Sequence, residues 1–325
     1  MKNRVIRRIL SVVLLVTLVA SASVSLCACG QKKPIIGIVQ FGSHQSLNNC
    51  YDGVIKGLRE AGVDLDAYNV EYLNSNFDAS VSQSQCSRLV NEGAKVIIAI
   101  ATPSAIAAAN AAAGDGIPVV FCAVTDSSVM SNYKNVTGSS DLPNFDKVLE
   151  TVTATMGRAD LSIGVLYSTD ESSSPFMLDK LKESAKAYDG MKIMDRAVAD
   201  ITTIDTHVNK LISDGVDCFV NLLDNTIVGK LETNILPITN EANIPVFGSE
   251  IEQVKIGCVA AASIEYVDVG KAAGKAAAEI LSGKSVGDIP VSVIDQPTVC
   301  YNQKQIEKFS LNIPTLSGAV RVDGD

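Results

Sequence analysis

Lys95-Val96-Ile97-Ile98-Ala99-Ile100-Ala101-Thr102-Pro103-Ser104-Ala105-Ile106-Ala107-Ala108-Ala109-Asn110-Ala111-Ala112-Ala113 holds the decision about the fold. After Lys95, the residues Val96 to Ala101 form an apolar run without the alternation of a half-solvated strand, which predicts a strand over Lys95 to Ala101 buried on both faces. Thr102-Pro103-Ser104 breaks the run, with Thr102 placed as N-cap and Pro103 in the first turn of an alanine-rich helix reaching Ala113. A second apolar run, Pro118 to Ala123, follows at once. Strand, helix and strand at this spacing make a βαβ unit with parallel pairing.

The same alternation extends in both directions. Upstream, Ile35 to Gln40 predicts a buried strand, and Asn48 to Ala61 a helix with Tyr51, Val54, Ile55 and Leu58 on one face before Gly62. Val70 to Leu73 and Ala79 to Asn91 supply another strand and helix, and Val136-Thr137-Gly138 closes the first half. Downstream, strands are expected at Ser162 to Tyr167, Lys192 to Val198, Cys218 to Leu223, Pro245 to Gly248 and Val259 to Ile264. Helices fall at Phe145 to Met156, Phe176 to Tyr188, Ile204 to Ser213 and Ile227 to Asn240.

The final helix, Val269 to Leu281, and strand, Val291 to Ile294, are too little for a third domain. They must complete the earlier ones, so the chain should cross between two α/β lobes near Ser139-Asp141, Ala262-Ile264 and Asp295-Pro297. The expected division is 34–140 with 264–294 as one lobe, 141–263 with 295–316 as the other, and 317–325 as a tail. Two parallel-sheet lobes also suit the chain length, which exceeds what one core usually organises.

The N-terminus has a different character. Lys2, Arg4, Arg7 and Arg8 precede an uncharged run from Ile9 to Ala20, and small residues lead to Leu26-Cys27-Ala28-Cys29-Gly30. This is the order of an export signal, and the run is short for a transmembrane helix of ~20 apolar residues. Leu-x-Ala-Cys resembles a bacterial lipobox, which implies a signal peptide over 1–28, acylation of Cys29 and a tether over 29–33. Losing four cations takes the formal net charge from −9 to −13, which argues against a nucleic-acid partner.

Ligands of open α/β sheets sit beyond the carboxyl ends of the strands. That rule selects Phe41, Gly42 and Ser43 after the first strand, where a ring can cover an apolar ligand and glycine permits close approach. It selects Thr102, Pro103 and Ser104, whose free N–H groups and hydroxyls suit a carboxylate. Thr125-Asp126, Asp224-Asn225-Thr226 and Glu250 bring carboxylates to strand ends in both halves, suited to an ammonium. Each of these has an ordinary alternative as a helix cap or loop charge.

Other signals carry less. Gly283-Lys284-Ser285-Val286-Gly287 fits G-x-S-x-G but follows a helix, where a nucleophile elbow needs strand, turn, helix. No phosphate-loop, dinucleotide or zinc-hydrolase motif occurs, so no cofactor or metal is expected. Cys50, Cys86, Cys122, Cys218, Cys258 and Cys300 lie mostly beside apolar runs and read as small buried hydrophobes. A two-lobed amino-acid racemase would need a thiol from each lobe, and Cys122 with Cys218 or Cys258 fits that only superficially, with no base or cation nearby. A sensing module without transport is the other alternative.

With these segments placed, the chain resembles the ABC-transporter substrate-binding lipoproteins that include the tryptophan- and tyrosine-associated transport components. The resemblance runs from about Lys33 to Pro314 and rests on Ile98 to Ser104, Val120 to Asp126, Asn135 to Gly138, Asp224 to Val228 and Ile244 to Glu250. It implies a type I periplasmic-binding fold, with two Rossmann-like lobes, three hinge crossings and a cleft that shuts on binding. It also places Thr102, Ser104, Thr125, Asp126, Asp224, Asn225 and Thr226 around that cleft. The chain departs from the family at His44-Gln45-Ser46-Leu47-Asn48, where His-Pro-Ala-Leu-Asp is usual. It departs again at Glu171-Ser172-Ser173-Ser174, where Glu-x-Asn-Ser is common; Ser173 and Ser174 enter the expected site from there.

The expectation is an exported, lipid-anchored solute-binding protein serving ABC permease subunits. Its solute would be a small zwitterion, an apolar or aromatic amino acid, with Asp224 favoured as the ammonium partner.

Overall fold

A computed structural model describes residues 32–294 and 296–322. The expected signal peptide, Cys29 and Asp295 of the third crossing lie outside the described residues. The chain divides into two units, 1–34 and 35–325. Of the first, Lys32, Lys33 and Pro34 are described, and they are exposed and without regular structure.

Within the second unit, strands β1 (Ile35–Gln40), β2 (Asn69–Asn74), β3 (Val96–Ile100), β4 (Val119–Cys122) and β5 (Val136–Ser140) form a parallel sheet. Later strands are β6 (Ser162–Ser168), β7 (Lys192–Val198), β8 (Cys218–Val220), β9 (Val246–Phe247) and β10 (Ala260–Ser263). The last three are β11 (Ser292–Val293), β12 (Thr298–Tyr301) and β13 (Val320–Arg321). The first sheet has the order β11-β5-β4-β3-β1-β2, and β7-β6-β8-β9 forms another. A bridge from Gly248 to Ala261 and the bond from Val259 N to Val246 O join the latter to β10-β12-β13. The chain thus passes to the second sheet after β5, returns after β10 and leaves again after β11. This is the two-lobed α/β arrangement expected from the alternation.

The fully apolar run that opened the sequence reading is β3, flanked by β1 and β4, with every residue buried. Ile97, Ile98 and Ile100 have no exposed surface, and burying each contributes about 1.5–3 kcal/mol. Helices α1 (Gln45–Glu60), α2 (Ala79–Asn91) and α3 (Thr102–Ala112) cover this sheet, and α4 (Phe145–Met156), α5 (Ser173–Ala185) and α6 (Ile204–Ser213) belong to the second lobe.

Three differences from the sequence reading have local causes. The helix expected over Ile227 to Asn240 is three pieces, α7 (Asn225–Val228), a π-turn over Leu231–Ile235 and α8 (Leu236–Glu241). Pro237 cannot donate to the preceding turn, so a continuous α-helical ladder is impossible there. A short helix α9 (Ile251–Lys255) and strand β12 were not expected, and both are too brief for periodicity to reveal. Helix α10 (Tyr266–Leu281) begins three residues early and packs in lobe 1 against α1, while α11 (Gln303–Phe309) follows β12. The α1–α10 crossing uses glycine on both helices. A Cβ on Gly53 would stand 2.2 Å from Val267 O, and one on Gly270 would stand 2.1 Å from Cys50 O.

Candidate functional site

The loops at the carboxyl ends of both sheets meet across the cleft. There they enclose a cavity of about 20 Å³, space for a water and not for an amino acid. Lobe 1 lines it with His44, Leu47, Thr102, Ala123 and Thr125, lobe 2 with Leu223, Asn225, Val228, Glu250 and Gln253, and Asp141 and Tyr266 close it on the side of the crossings. No lysine or arginine lines it among the described residues.

Two backbone positions shape the lobe 1 wall. Ala101 and Ala123, directly after β3 and β4, adopt φ of 76° and 55°, a region that costs L-residues of order 1 kcal/mol. Alanine is the smallest side chain that carries this strain, and Ala123 lines the cavity. Because Ala101 takes the cap position, α3 starts at Thr102 and not at Pro103, and no side chain caps it. Thr102 is thereby released from capping and lines the cavity. The first-turn N–H groups of Thr102 and Ser104 have no carbonyl within the helix.

The cavity is rich in acceptors. Asp141 is buried, and its carboxylate accepts from Thr125 Oγ1 at 2.9 Å and from Tyr266 OH at 2.9 Å. Burial raises its pKa against those two hydrogen bonds. Glu250, 2% exposed, caps α9 by accepting from the Glu252 N–H at 2.7 Å and the Gln253 N–H at 3.1 Å, and Ser46 donates to it from the other lobe. Burial pushes its carboxyl up to about 7. His44 Nε2 lies 3.1 Å from Asn225 Oδ1 across the cleft, its Nδ1 is enclosed without a partner, and burial lowers its pKa, so the ring is neutral. Asn49 Nδ2 donates to Glu252 Oε1 at 3.1 Å, a third bond between lobes.

Of the residues selected from sequence, Thr102, Thr125, Asn225 and Glu250 line this cavity. Phe41, Pro103 and Thr226 instead border a solvent-open groove of about 800 Å³ between the lobes. Gly42 lies beneath Phe77, where a Cβ would meet the ring at 2.3 Å. Ser43 is exposed and accepts from Asn74. Ser104 pairs with Ser82 at 3.1 Å, and Ser173 is buried at the start of α5. Asp126 turns to the Ser128 N–H and hydroxyl.

Asp224, expected to receive a ligand ammonium, does not line the cavity. It accepts from Ser168 N and Ser174 Oγ, both at 2.6 Å, and from Ile227 N at 3.0 Å, capping α7. Burial raises its pKa in spite of these bonds. Its oxygens serve the strand-to-helix turn, which is the ordinary role of an aspartate before a helix.

Residues that the sequence did not single out complete the site. Asp141 and Tyr266 belong to the crossings, and Glu171 is buried where it accepts from Asn225 Nδ2 at 2.9 Å and Thr226 N at 3.0 Å. Phe77, at φ 62°, stacks on His44 with ring centroids 6.4 Å apart and meets Phe41 edge-on at 5.8 Å. Asn74-Ser75-Asn76 before Phe77 was the available turn signal. All six cysteines beyond residue 31 are free and buried, and none lines the cavity. Burial pushes the thiols of Cys86 and Cys300 up to about 12.

The sequence profile described as ABC transporter substrate binding protein matches residues 35–317. A tyrosine-binding protein of Clostridioides difficile strain R20291 is 33% identical over 289 residues, covering 86% of this chain and 82% of the relative. The crystal structure of an ABC domain in complex with L-Trp from Streptococcus pneumonia superposes with a TM-score of 0.82 at 28% identity, over 89% of this chain and 100% of that one. A ligand-free, open substrate-binding protein with adhesive properties from Clostridium difficile gives 0.68 at 29% identity, over 90% and 100%. Profile, sequence and structure agree, and the chain belongs to the ABC transporter substrate-binding protein family, with the type I periplasmic-binding fold.

Proposed function

We propose that this protein captures an aromatic amino acid between its lobes outside the cytoplasm, tethered by lipid on Cys29, and delivers it to ABC permease subunits. The observation that carries the ligand assignment is the cavity's charge balance: Glu250 and Asp141 are buried at its wall, with no lysine or arginine in the lining among the described residues. Burying carboxylates without an opposite charge is costly, and an arriving ammonium offsets that cost with a charge-assisted bond. The uncapped start of α3 at Thr102 provides N–H groups and a favourable dipole for the ligand carboxylate. The ring then lies against Leu47, Leu223 and Val228, near His44.

The lobes must part for entry, because the cavity is far smaller than such a ligand. The better superposition on the Trp complex than on the open relative supports a shut cleft here. The relatives named for tyrosine and tryptophan support the aromatic class. Catalysis has no support from the site, since no thiol lines it and no nucleophile, base and orienting group converge. The lipid anchor and the lobe boundaries set out above are part of the proposal.

A thermal-shift screen of residues 30–325 over amino acids, nucleosides and sugars tests the assignment. A ligand at a hundred times its Kd stabilises by about 2.7 kcal/mol, and the shift should come from aromatic amino acids. A shift with sugars or nucleosides alone would reject it.

A further inference from the structure

We infer that His44 sets the ligand specificity of the cleft: its Nδ1 accepts a hydrogen bond from an N–H or O–H carried on the ligand's ring. The site would therefore select phenol- or indole-bearing amino acids over phenylalanine. This rests on the amino-acid reading above and narrows its ligand class.

A chain of hydrogen bonds fixes which imidazole nitrogen carries the proton. Glu171 Oε1 accepts from Thr226 N at 3.0 Å and from Thr226 Oγ1 at 3.3 Å, and Oε2 faces Asn225 at 2.9 Å. A carboxylate requires the amide nitrogen of Asn225 toward it, which turns Asn225 Oδ1 to His44. His44 Nε2, 3.1 Å away, must then be the donor. A neutral imidazole has one N–H, so Nδ1 presents a lone pair. That atom is enclosed and without a partner, and His44 lines the cavity. A buried acceptor left unmade costs free energy that a ligand donor recovers.

The surroundings decide which part of the ligand supplies that donor. Phe77 is stacked on His44 at an interplanar angle of 10°, Phe41 packs against Phe77, and Leu47, Leu223 and Val228 share the lining. This is an environment for a ring. The ammonium has better partners in the carboxylates of Glu250 and Asp141. Thr125 and Tyr266 donate their hydroxyl protons to Asp141, so neither supplies the proton that Nδ1 lacks.

The test titrates L-tyrosine, L-tryptophan and L-phenylalanine into wild type, His44→Leu and His44→Asn. Burial and the adjacent Asp224 raise Glu171 to about 8, so at pH 8.5 most molecules carry it ionised, with the chain of bonds as described. Wild type should bind tyrosine or tryptophan roughly tenfold tighter than phenylalanine. His44→Leu should remove that ratio by weakening the donor-bearing ligand alone, and His44→Asn, whose Oδ1 can stand near the place of Nδ1, should restore part of it. Should the leucine variant fail to fold, the wild-type ratio and the asparagine variant still decide. A wild-type ratio near one, or equal loss for all three ligands in His44→Leu, overturns the inference while leaving amino-acid binding intact. Failure of all three to bind wild type rejects the amino-acid reading itself and this inference with it.

Discussion

Lowering the pH from 8 to 5 should weaken amino-acid binding by up to about a hundredfold, because Glu250 must be ionised to receive the ammonium. Its carboxyl is held at about 7 in the free protein by burial in the cleft, opposed by the Glu252 and Gln253 N–H groups and Ser46. At pH 8 most of the protein is ionised at this position, and at pH 5 roughly one molecule in a hundred is, a difference of about 2.7 kcal/mol at 1.36 kcal/mol per unit. The complex binds fewer protons than the free protein, so affinity rises with pH. Stability moves the other way. A carboxyl raised above its unfolded value near 4.5 contributes most below that value, and the contribution is lost as pH rises through about 7. Isothermal titration at pH 5, 6, 7 and 8 in buffers of differing ionisation enthalpy measures both the slope and the proton released. Flat affinity over this range, or the same slope in Glu250→Gln, would refute the role given to Glu250.

Three further outcomes follow from the geometry. Asp224→Asn should lower Tm, since it weakens the acceptor for Ser168, Ser174 and Ile227, and it should weaken an amino acid and its des-amino analogue equally; a selective loss for the amino acid would return the ammonium to Asp224. Gly270→Val should destabilise by about 1–3 kcal/mol or more in chemical denaturation, because its Cβ would stand 2.1 Å from Cys50 O, and an unchanged midpoint would contradict the tight α1–α10 crossing. Cys29→Ser should free the protein from membranes, and continued fractionation with them after a high-salt wash would remove the lipid anchor from the account.

The parts of the fold legible in the sequence are those dictated by local pattern. The all-apolar β3 and the α3 that follows it, and helices such as Ala79–Asn91 and Phe145–Met156, stand where composition and periodicity put them. The strand-end rule brought Thr102, Thr125, Asn225 and Glu250 to one cavity because the strands they follow, β3, β4, β8 and β9, end at the cleft. What one strand end cannot reveal is which way a side chain turns. Asp224 and Glu250 have the same setting, an acid before a helix, yet Asp224 is consumed by Ser168 and Ser174 of its own lobe while Glu250 lines the cavity. Asp141, Tyr266 and Glu171 were missed because their partners lie far along the chain, as with Tyr266 and Asp141, 125 residues apart. Phe77 was missed because its place over Gly42 depends on a left-handed turn that Asn76 and Phe77 adopt together.

The central claim is that the cleft holds an amino acid by its ammonium on Glu250 and Asp141. Titration of residues 30–325 with L-tyrosine and with its des-amino analogue tests it most directly. A charge-assisted bond in a closed cleft is worth ~1.5–3 kcal/mol, so the amino acid should bind ten- to a hundredfold more tightly. Equal affinity for the two, or binding of neither while a sugar or nucleoside binds, would contradict it.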